Sequence, residues 1–281
     1  MRRLNILHRK SSQKYSRFFR FLGPGLITGA ADDDPSGIAT YSQAGATYGF
    51  GQLWSIALCL PLMIAVQEAC ARIGSVTGKG LVKVTSELYS RKVLYTVVML
   101  VVVANIINIG ADIAAVGAAL NLLIPAPILL LSTIFTIIVL FLEIAIGYHA
   151  YAKFLKFLAL SLLAYVFTAI IVHPNWNEVF RALVVPQITW ESNYWYVIVA
   201  LLGTTISPYM FFWQATEEVE EQKYAVKAGL PARSLRTIRR DNSIGMTISQ
   251  LGSVFMIVTT AVVLHQHGLK EIGSAADAAR A

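Results

Sequence analysis

Residues 29–40 read GAADDDPSGIAT: three consecutive acids, a proline and a glycine in the middle of a run otherwise apolar enough to cross a membrane. Pro35 cannot donate a backbone hydrogen bond and disfavours helix at Asp34, and Gly37 accepts unusual dihedrals, so a helix arriving from residue 20 unwinds here. Counted from the basic tail at a rise of 1.5 Å per residue, Asp34 lies roughly 20 Å along the span. Unwound backbone at that depth persists only when it is buried in protein or lines a cavity, and an ionisable residue there marks a functional position. Freed carbonyls beside a carboxylate form an all-oxygen cage suited to a cation. The same residues also fit a plain helix start in an exposed loop, with Asp34 as the cap and Pro35 in the first turn. The apolar sequence on both sides favours the interior.

The rest of the chain fits a membrane setting. Of 281 residues, 56% are hydrophobic and 14% charged, against about 25% charged in ordinary soluble domains. Apolar runs place seven helices, at about 20–48 (interrupted), 51–73, 93–120, 127–147, 154–172, 194–216 (interrupted) and 243–265. This gives an all-α polytopic membrane protein with a basic tail over 1–19, a transport domain over 20–265 and a polar end over 266–281. The net charge of +7 follows the loops. The first twenty residues hold seven of the 23 Lys and Arg, and the segments 72–92, 148–156 and 217–241 hold five, two and six. The segment 121–127 has none and 173–193 has only Arg181. By the positive-inside rule the N-terminus is cytoplasmic, in a plasma or inner membrane, and the basic charge is an orientation signal, not a nucleic-acid surface. No cleaved signal peptide is expected. Cys59 and Cys70, eleven apart on one apolar helix, predict neither a disulfide nor a zinc site.

A second interruption stands in the sixth span, at Gly203-Thr204-Thr205-Ile206-Ser207-Pro208. The first and sixth spans cross in opposite directions, so two matched breaks point to an inverted repeat whose discontinuous helices meet at a central site. The expected metal-contacting positions are Asp34, Ser36 and Gly37 on the first break, and Gly203, Thr204, Thr205, Ile206 and Ser207 on the sixth. Asp33, Asp112, Tyr209 and Gln214 are placed along the ion's path. Glu68 and Glu143 are expected in interfacial salt bridges, Glu217, Glu218, Glu220 and Glu221 as a solvated run, and His265-Gln266-His267 as an interfacial polar cluster. No metalloprotease, nucleophile-elbow or phosphate-loop motif occurs, so the chain is not expected to be an enzyme.

The stretches GPGLITGAADDDPSG (23–37), TYGFGQLW (47–54), QEACARIGSVTGKGL (67–81), GADIAAVGAALNLL (110–123) and GTTISPYMFFWQA (203–215) resemble the natural resistance-associated macrophage protein (NRAMP) family of proton-coupled divalent metal transporters. The resemblance runs through nearly the whole chain. It implies an inverted-repeat, LeuT-like core, with the first five-helix repeat and the start of the second, and a metal held between the first and sixth helices. A second repeat would need helices six to ten, and the chain ends after the seventh with GLKEIGSAADAARA, so further helices are expected to be missing.

Departures from the family pattern carry their own expectations. Ser36 and Gly37 stand where the family has glycine and asparagine, and Ser207, Pro208 and Tyr209 where it has methionine, proline and histidine. Loss of the soft thioether leaves an all-oxygen, roomier site, suited to Mg²⁺ with Mn²⁺ as the next candidate. Tyr209 and Gln214 replace the family's histidines after the sixth-helix break, and Asn105 and Ala115 flank Asp112 where the family carries acids. The resulting expectation is divalent metal transport by alternating access without proton coupling. The alternatives are a proton-coupled manganese or iron importer and a symporter for an anionic organic solute, against which Asp34 counts by charge. The metal is the substrate and no cofactor is expected; the partners are the metal ion and the lipid bilayer, with no nucleic acid and no obligate protein partner.

Overall fold

The computed structural model describes residues 23–146, 154, 161, 163–227, 229, 231 and 233–268. The basic tail over 1–19, the loop lysines Lys153 and Lys156, most of the stretch 147–162 and the end over 269–281 lie outside them.

All the described elements are helical. The first span is two helices, α1 (Pro24–Asp32) and α2 (Pro35–Tyr48), each with a proline in its first turn. It is followed by α3 (Leu53–Thr77), closed by Gly78 at φ +64°, a left-handed stop that glycine adopts without steric cost. A short helix α4 (Leu81–Leu88) leads to α5 (Arg91–Leu123) and α6 (Ile128–Ala145). Then come α7 (Leu163–Ile171), α8 (Trp176–Val184), the broken pair α9 (Ser192–Thr205) and α10 (Pro208–Lys227), and α11 (Leu235–Val263), with a final 3-10 turn at His265–His267. Five helical stretches are long and apolar enough to cross a membrane: 53–77, 91–123, 128–145, 192–227 and 235–267.

Two helices absent from the hydropathy reading, α4 and α8, occupy segments expected as loops. Each is only eight or nine residues long and amphipathic, so neither leaves a continuous apolar run. At the start of α4, Lys79 donates to Glu87 at 2.8 Å, and that hydrogen bond holds the exposed Glu87 carboxyl below its ordinary pKa. The sixth span is also longer than expected, because α10 continues through the acidic run to Lys227.

α11 is the central post. It packs against α1, α2, α3 and α7, while α5 and α6 form a hairpin at the edge whose outer faces are apolar and exposed. The seam between α1 and α11 is made largely by glycines, with the Asn242 side chain packed over Gly25. A β-carbon on Gly29 would run into the carbonyl of Gly245, and one on Gly245 into the backbone of Gly25 and Leu26. Gly25 and Gly29 lie four apart, so both fall on one face, as in the small-residue motifs that bring membrane helices together. Gly45 makes a similar close approach to Ile257 and Thr260, joining α2 to the same post.

At the end of the bundle that carries α4, the N-terminus of α1 is fixed by charge. Asp241 on α11 accepts from the backbone N–H of Gly23 at 2.7 Å and of Gly25 at 2.9 Å, which are donors a helix start leaves free. Arg233 then bridges Asp241 (2.9 Å) and Glu218 (3.1 Å), and all three side chains are nearly inaccessible. The acidic run is therefore not the solvated face expected from the sequence, since Glu217 and Glu218 are buried and Glu218 is ion-paired. Glu68 does pair, with Arg72 and Arg239, as expected. Glu143 makes no salt bridge among the described residues.

The glycine seam gives the first prediction. Gly245→Val forces a branched side chain into the backbone of α1 and lowers stability by about 1–3 kcal/mol. Thermal unfolding of the purified protein in detergent checks this, and an unchanged midpoint would mean that the seam yields.

Candidate functional site

Both breaks are made by the same local device. α1 ends at Asp32, Asp33 leaves helical geometry at ψ 57°, and Asp34 (φ −76°, ψ 171°) restarts the chain as the cap of α2. α9 ends at Thr205, Ile206 leaves at ψ 64°, and Pro208 opens α10. Two helix C-termini, with carbonyls lacking intrahelical donors, thus stop inside the bundle. Both carry partial negative charge and both attract a cation.

The breaks lie side by side. Gly37 in the first turn of α2 faces Thr204, such that an added β-carbon would sit 3.3 Å from the Thr204 hydroxyl. Tyr41 and Thr205 exchange a hydrogen bond between hydroxyls at 3.1 Å. Tyr209 donates to Asp34 Oδ2 at 3.0 Å. Gly37 therefore eases a close approach to α9, where a β-carbon would crowd the Thr204 hydroxyl, and does not serve unusual dihedrals, as its place in the motif suggested: its φ is not positive.

Asp34 is the hub. Its Oδ1 accepts from the backbone N–H of Gly37 at 2.8 Å and from the Ser36 hydroxyl at 2.6 Å. Its Oδ2 accepts from Tyr209 and from Asn108 Nδ2, both at 3.0 Å. Asp34 caps α2, as one reading of the sequence expects, but it does so half-buried among α2, α5 and α10 and not in an exposed loop. Three of its four donors are side chains that can rotate away, so an arriving cation can replace them without unwinding α2.

Asn108 carries no weight in the motif reading, yet it links two acids. Its Nδ2 also donates to Asp112 Oδ2 at 3.1 Å, leaving the other Asp112 oxygen buried and without a partner. Asp112 thus joins Asp34 through an amide, and among the described residues neither an arginine nor a backbone group holds it. The signal was present in NIINIGAD (105–112), where Asn105, Asn108 and Asp112 recur at spacings of three and four on an otherwise apolar helix.

The other expected residues divide. Ser207, 1% exposed, donates to the carbonyl of Thr204 at 2.7 Å and lies within reach of that of Gly203. Gly203 itself sits inside α9, short of the break. The Thr204 hydroxyl is buried without a partner, whereas that of Thr205 is engaged with Tyr41. Asp33 turns to α11, where Ser253 donates to it at 3.2 Å. Gln214 does not join Asp34: it is fully buried and accepts from Thr28 on α1. In the histidine cluster the Nδ1 atoms of His265 and His267 each engage a backbone carbonyl, of Ala46 and of Val263. No group of three or more His, Cys, Asp or Glu side chains placed to hold a metal occurs among the described residues, so any ion at Asp34 would rely on carbonyl, hydroxyl and amide oxygens.

A cavity of about 560 Å³ opens next to the hub, walled by α4 and by Asn105, Tyr209, Phe212, Trp213 and Thr216. It extends from α4 to Tyr209, whose hydroxyl donates to Asp34.

Paired broken helices meeting at a half-buried carboxylate define a membrane protein of the inverted-repeat transporter fold. The chain belongs to the natural resistance-associated macrophage protein family: the profile described as "Natural resistance-associated macrophage protein-like" matches residues 25–281. Among curated proteins, the "Divalent metal cation transporter MntH" of Ralstonia nicotianae is 26% identical over 275 residues, covering 95% of this chain and 61% of the relative. The protein of the same name from Yersinia pestis is 28% identical over 270 residues, covering 92% of this chain and 62% of its own length. Among solved structures, a manganese transporter of Eremococcus coleocola, crystallised with an aromatic bis-isothiourea compound, superposes with a TM-score of 0.69 at 20% identity. That match covers 86% of this chain and 51% of the other, and it shows the shared fold. The chain thus spans about six tenths of the curated relatives it matches.

The hub predicts an order of effects on stability. Tyr209→Phe removes one donor and costs about 0.5–1.5 kcal/mol. Asp34→Ala removes the cap of α2 and the acceptor for four donors, costing about 1 kcal/mol for the cap and more for the stranded donors. Thermal unfolding of both variants checks the order, and the reverse order would contradict the hub.

Proposed function

We propose that the protein transports a divalent metal cation across the membrane by alternating access, with the ion bound at Asp34 between the two helix breaks. The observation that carries this reading is the Asp34 carboxylate, held between two interior helix C-termini by side chains free to rotate away. Ser36, the carbonyls around Gly37 and around Gly203, Thr204, Thr205 and Ile206, and the Ser207 and Thr204 hydroxyls supply neutral oxygens, and water completes the shell. The basic loops support a cytoplasmic N-terminus and a cytoplasmic α4, and on that orientation the cavity beside Tyr209 is the inner exit.

Every side-chain partner of Asp34 offers oxygen or nitrogen, and none offers sulfur. A carboxylate among neutral oxygens, with room for water, suits Mg²⁺, which dehydrates reluctantly, and it also accepts Mn²⁺. Transport is proposed to be uncoupled from protons. Asn108 separates Asp34 from Asp112, and an amide has no titratable proton to pass between two acids. Tyr209 and Gln214 likewise offer no group that titrates near neutrality. A proton-coupled manganese importer is the second reading; the structurally similar protein described as a manganese transporter supports the choice of ion, and the partnerless oxygen of Asp112 supports the coupling.

Isothermal titration of the purified protein with Mg²⁺ and Mn²⁺ tests the site. Mg²⁺ is expected to bind at least comparably to Mn²⁺, and Asp34→Ala to abolish both. Failure of the folded protein to bind either ion, or binding that survives the substitution, would overturn the assignment. In vesicles carrying a pH-sensitive dye, Mn²⁺ uptake is expected without acidification, and acidification would favour the second reading.

A further inference from the structure

The three acids of the break do not face one way. Asp34 meets α5 and α10, whereas Asp32 and Asp33 are turned to α11. Asp32 is 1% exposed, and both of its carboxylate oxygens lack a hydrogen-bond partner. Oδ2 of Asp33 is buried and equally unpartnered. Across from them on α11, Ser249 and Ser253 lie four apart on one face, each 0% exposed. The Ser249 hydroxyl faces both carboxylates, yet it completes a well-formed hydrogen bond to neither. Among the described residues, the charged groups acting on Asp32 and Asp33 are the acids of the triplet itself, and no basic side chain is among them.

An isolated buried carboxylate is strongly disfavoured without a partner, and two adjacent ones repel. Here both stand at the C-terminal end of α1, where the helix adds further negative potential. All four features call for positive charge: two acids, a negative helix end, an unused hydroxyl and no cationic side chain. The donors are oxygen only, and two carboxylates match the charge of one divalent ion. Asp33 is only partly buried, which leaves a way in.

We propose that Asp32, Asp33, Ser249 and Ser253 form a second binding site for a hard divalent cation, between the first-helix break and α11 and on the opposite side of the chain from Asp34. Asp32 would bind through either or both oxygens, Asp33 through Oδ2, and Ser249 through its hydroxyl. Ser253 positions Asp33 by donating to its other oxygen. The site does not require the Asp34 reading to hold, since no ligand is shared.

Equilibrium dialysis of the purified protein against Mn²⁺, followed by metal analysis, counts the ions held. The native chain is expected to hold two Mn²⁺ per molecule, Asp34→Asn one, and the double variant Asp32→Asn with Asp33→Asn one. Ser249→Ala changes no charge and is expected to weaken the second site about tenfold, the loss of a charge-assisted contact, so the test survives if the double variant does not fold. A native stoichiometry of one that disappears with Asp34→Asn and persists in the double variant would overturn this second site and leave the first. One ion that persists in Asp34→Asn and disappears in the double variant would do the reverse. No Mn²⁺ on the folded native chain would overturn both.

Discussion

A helix interrupted inside a membrane protein exposes backbone groups where no water can satisfy them, and the arrangement of this protein follows from how those groups are satisfied. Where each helix restarts after a break a proline removes one donor, Pro35 in α2 and Pro208 in α10, and Asp34 caps α2; the start of α1, at the end of the bundle, is held in the same way by Asp241 reaching across from α11. At the C-terminal side the carbonyls have fewer partners. The Ser207 hydroxyl covers part of one set, and the rest face the place where the breaks converge. The interior is therefore acceptor-rich, which is why its carboxylates matter more than their number suggests.

Asp34 is saturated by donors while Asp32, one residue inside α1, has none, although the three acids are contiguous. The difference comes from the change of direction at Asp33 and Asp34, which sends successive side chains to different neighbours. A continuous helix would have set neighbouring acids about 100° apart on one cylinder; the break sets one toward α5 and α10 and the others toward α11.

Much of this was legible in the residues. Two prolines after polar residues in apolar runs located both breaks to within a few positions. The family resemblance was carried by the same stretches that build the two breaks. What stayed hidden depends on tertiary neighbours. Glu218 looked solvated because a run of acids after a span usually is, and only the return of Arg233 from a loop fifteen residues on makes a buried pair. Asn108 looked like one polar residue on an apolar helix until its face met Asp34. Gln214 aligned with a family histidine in sequence, but its partner Thr28 lies on α1, away from the hub. α4 and α8 escaped because a hydropathy reading finds helices by length and these two are short.

The glycine seam between α1 and α11 has a mechanical consequence. Interdigitated helices resist relative motion because each knob must lift from its hole and change rotamer before the next hole is reached. Gly25, Gly29 and Gly245 offer no knobs, so the contact resists compression but opposes sliding and tilting only weakly. Polar restraint along this joint is then concentrated at its two ends, where Asp241 and Arg233 hold the first turn of α1 and Ser253 donates to Asp33 just past its last. α1 behaves as a short rod on a smooth bearing, latched at both ends.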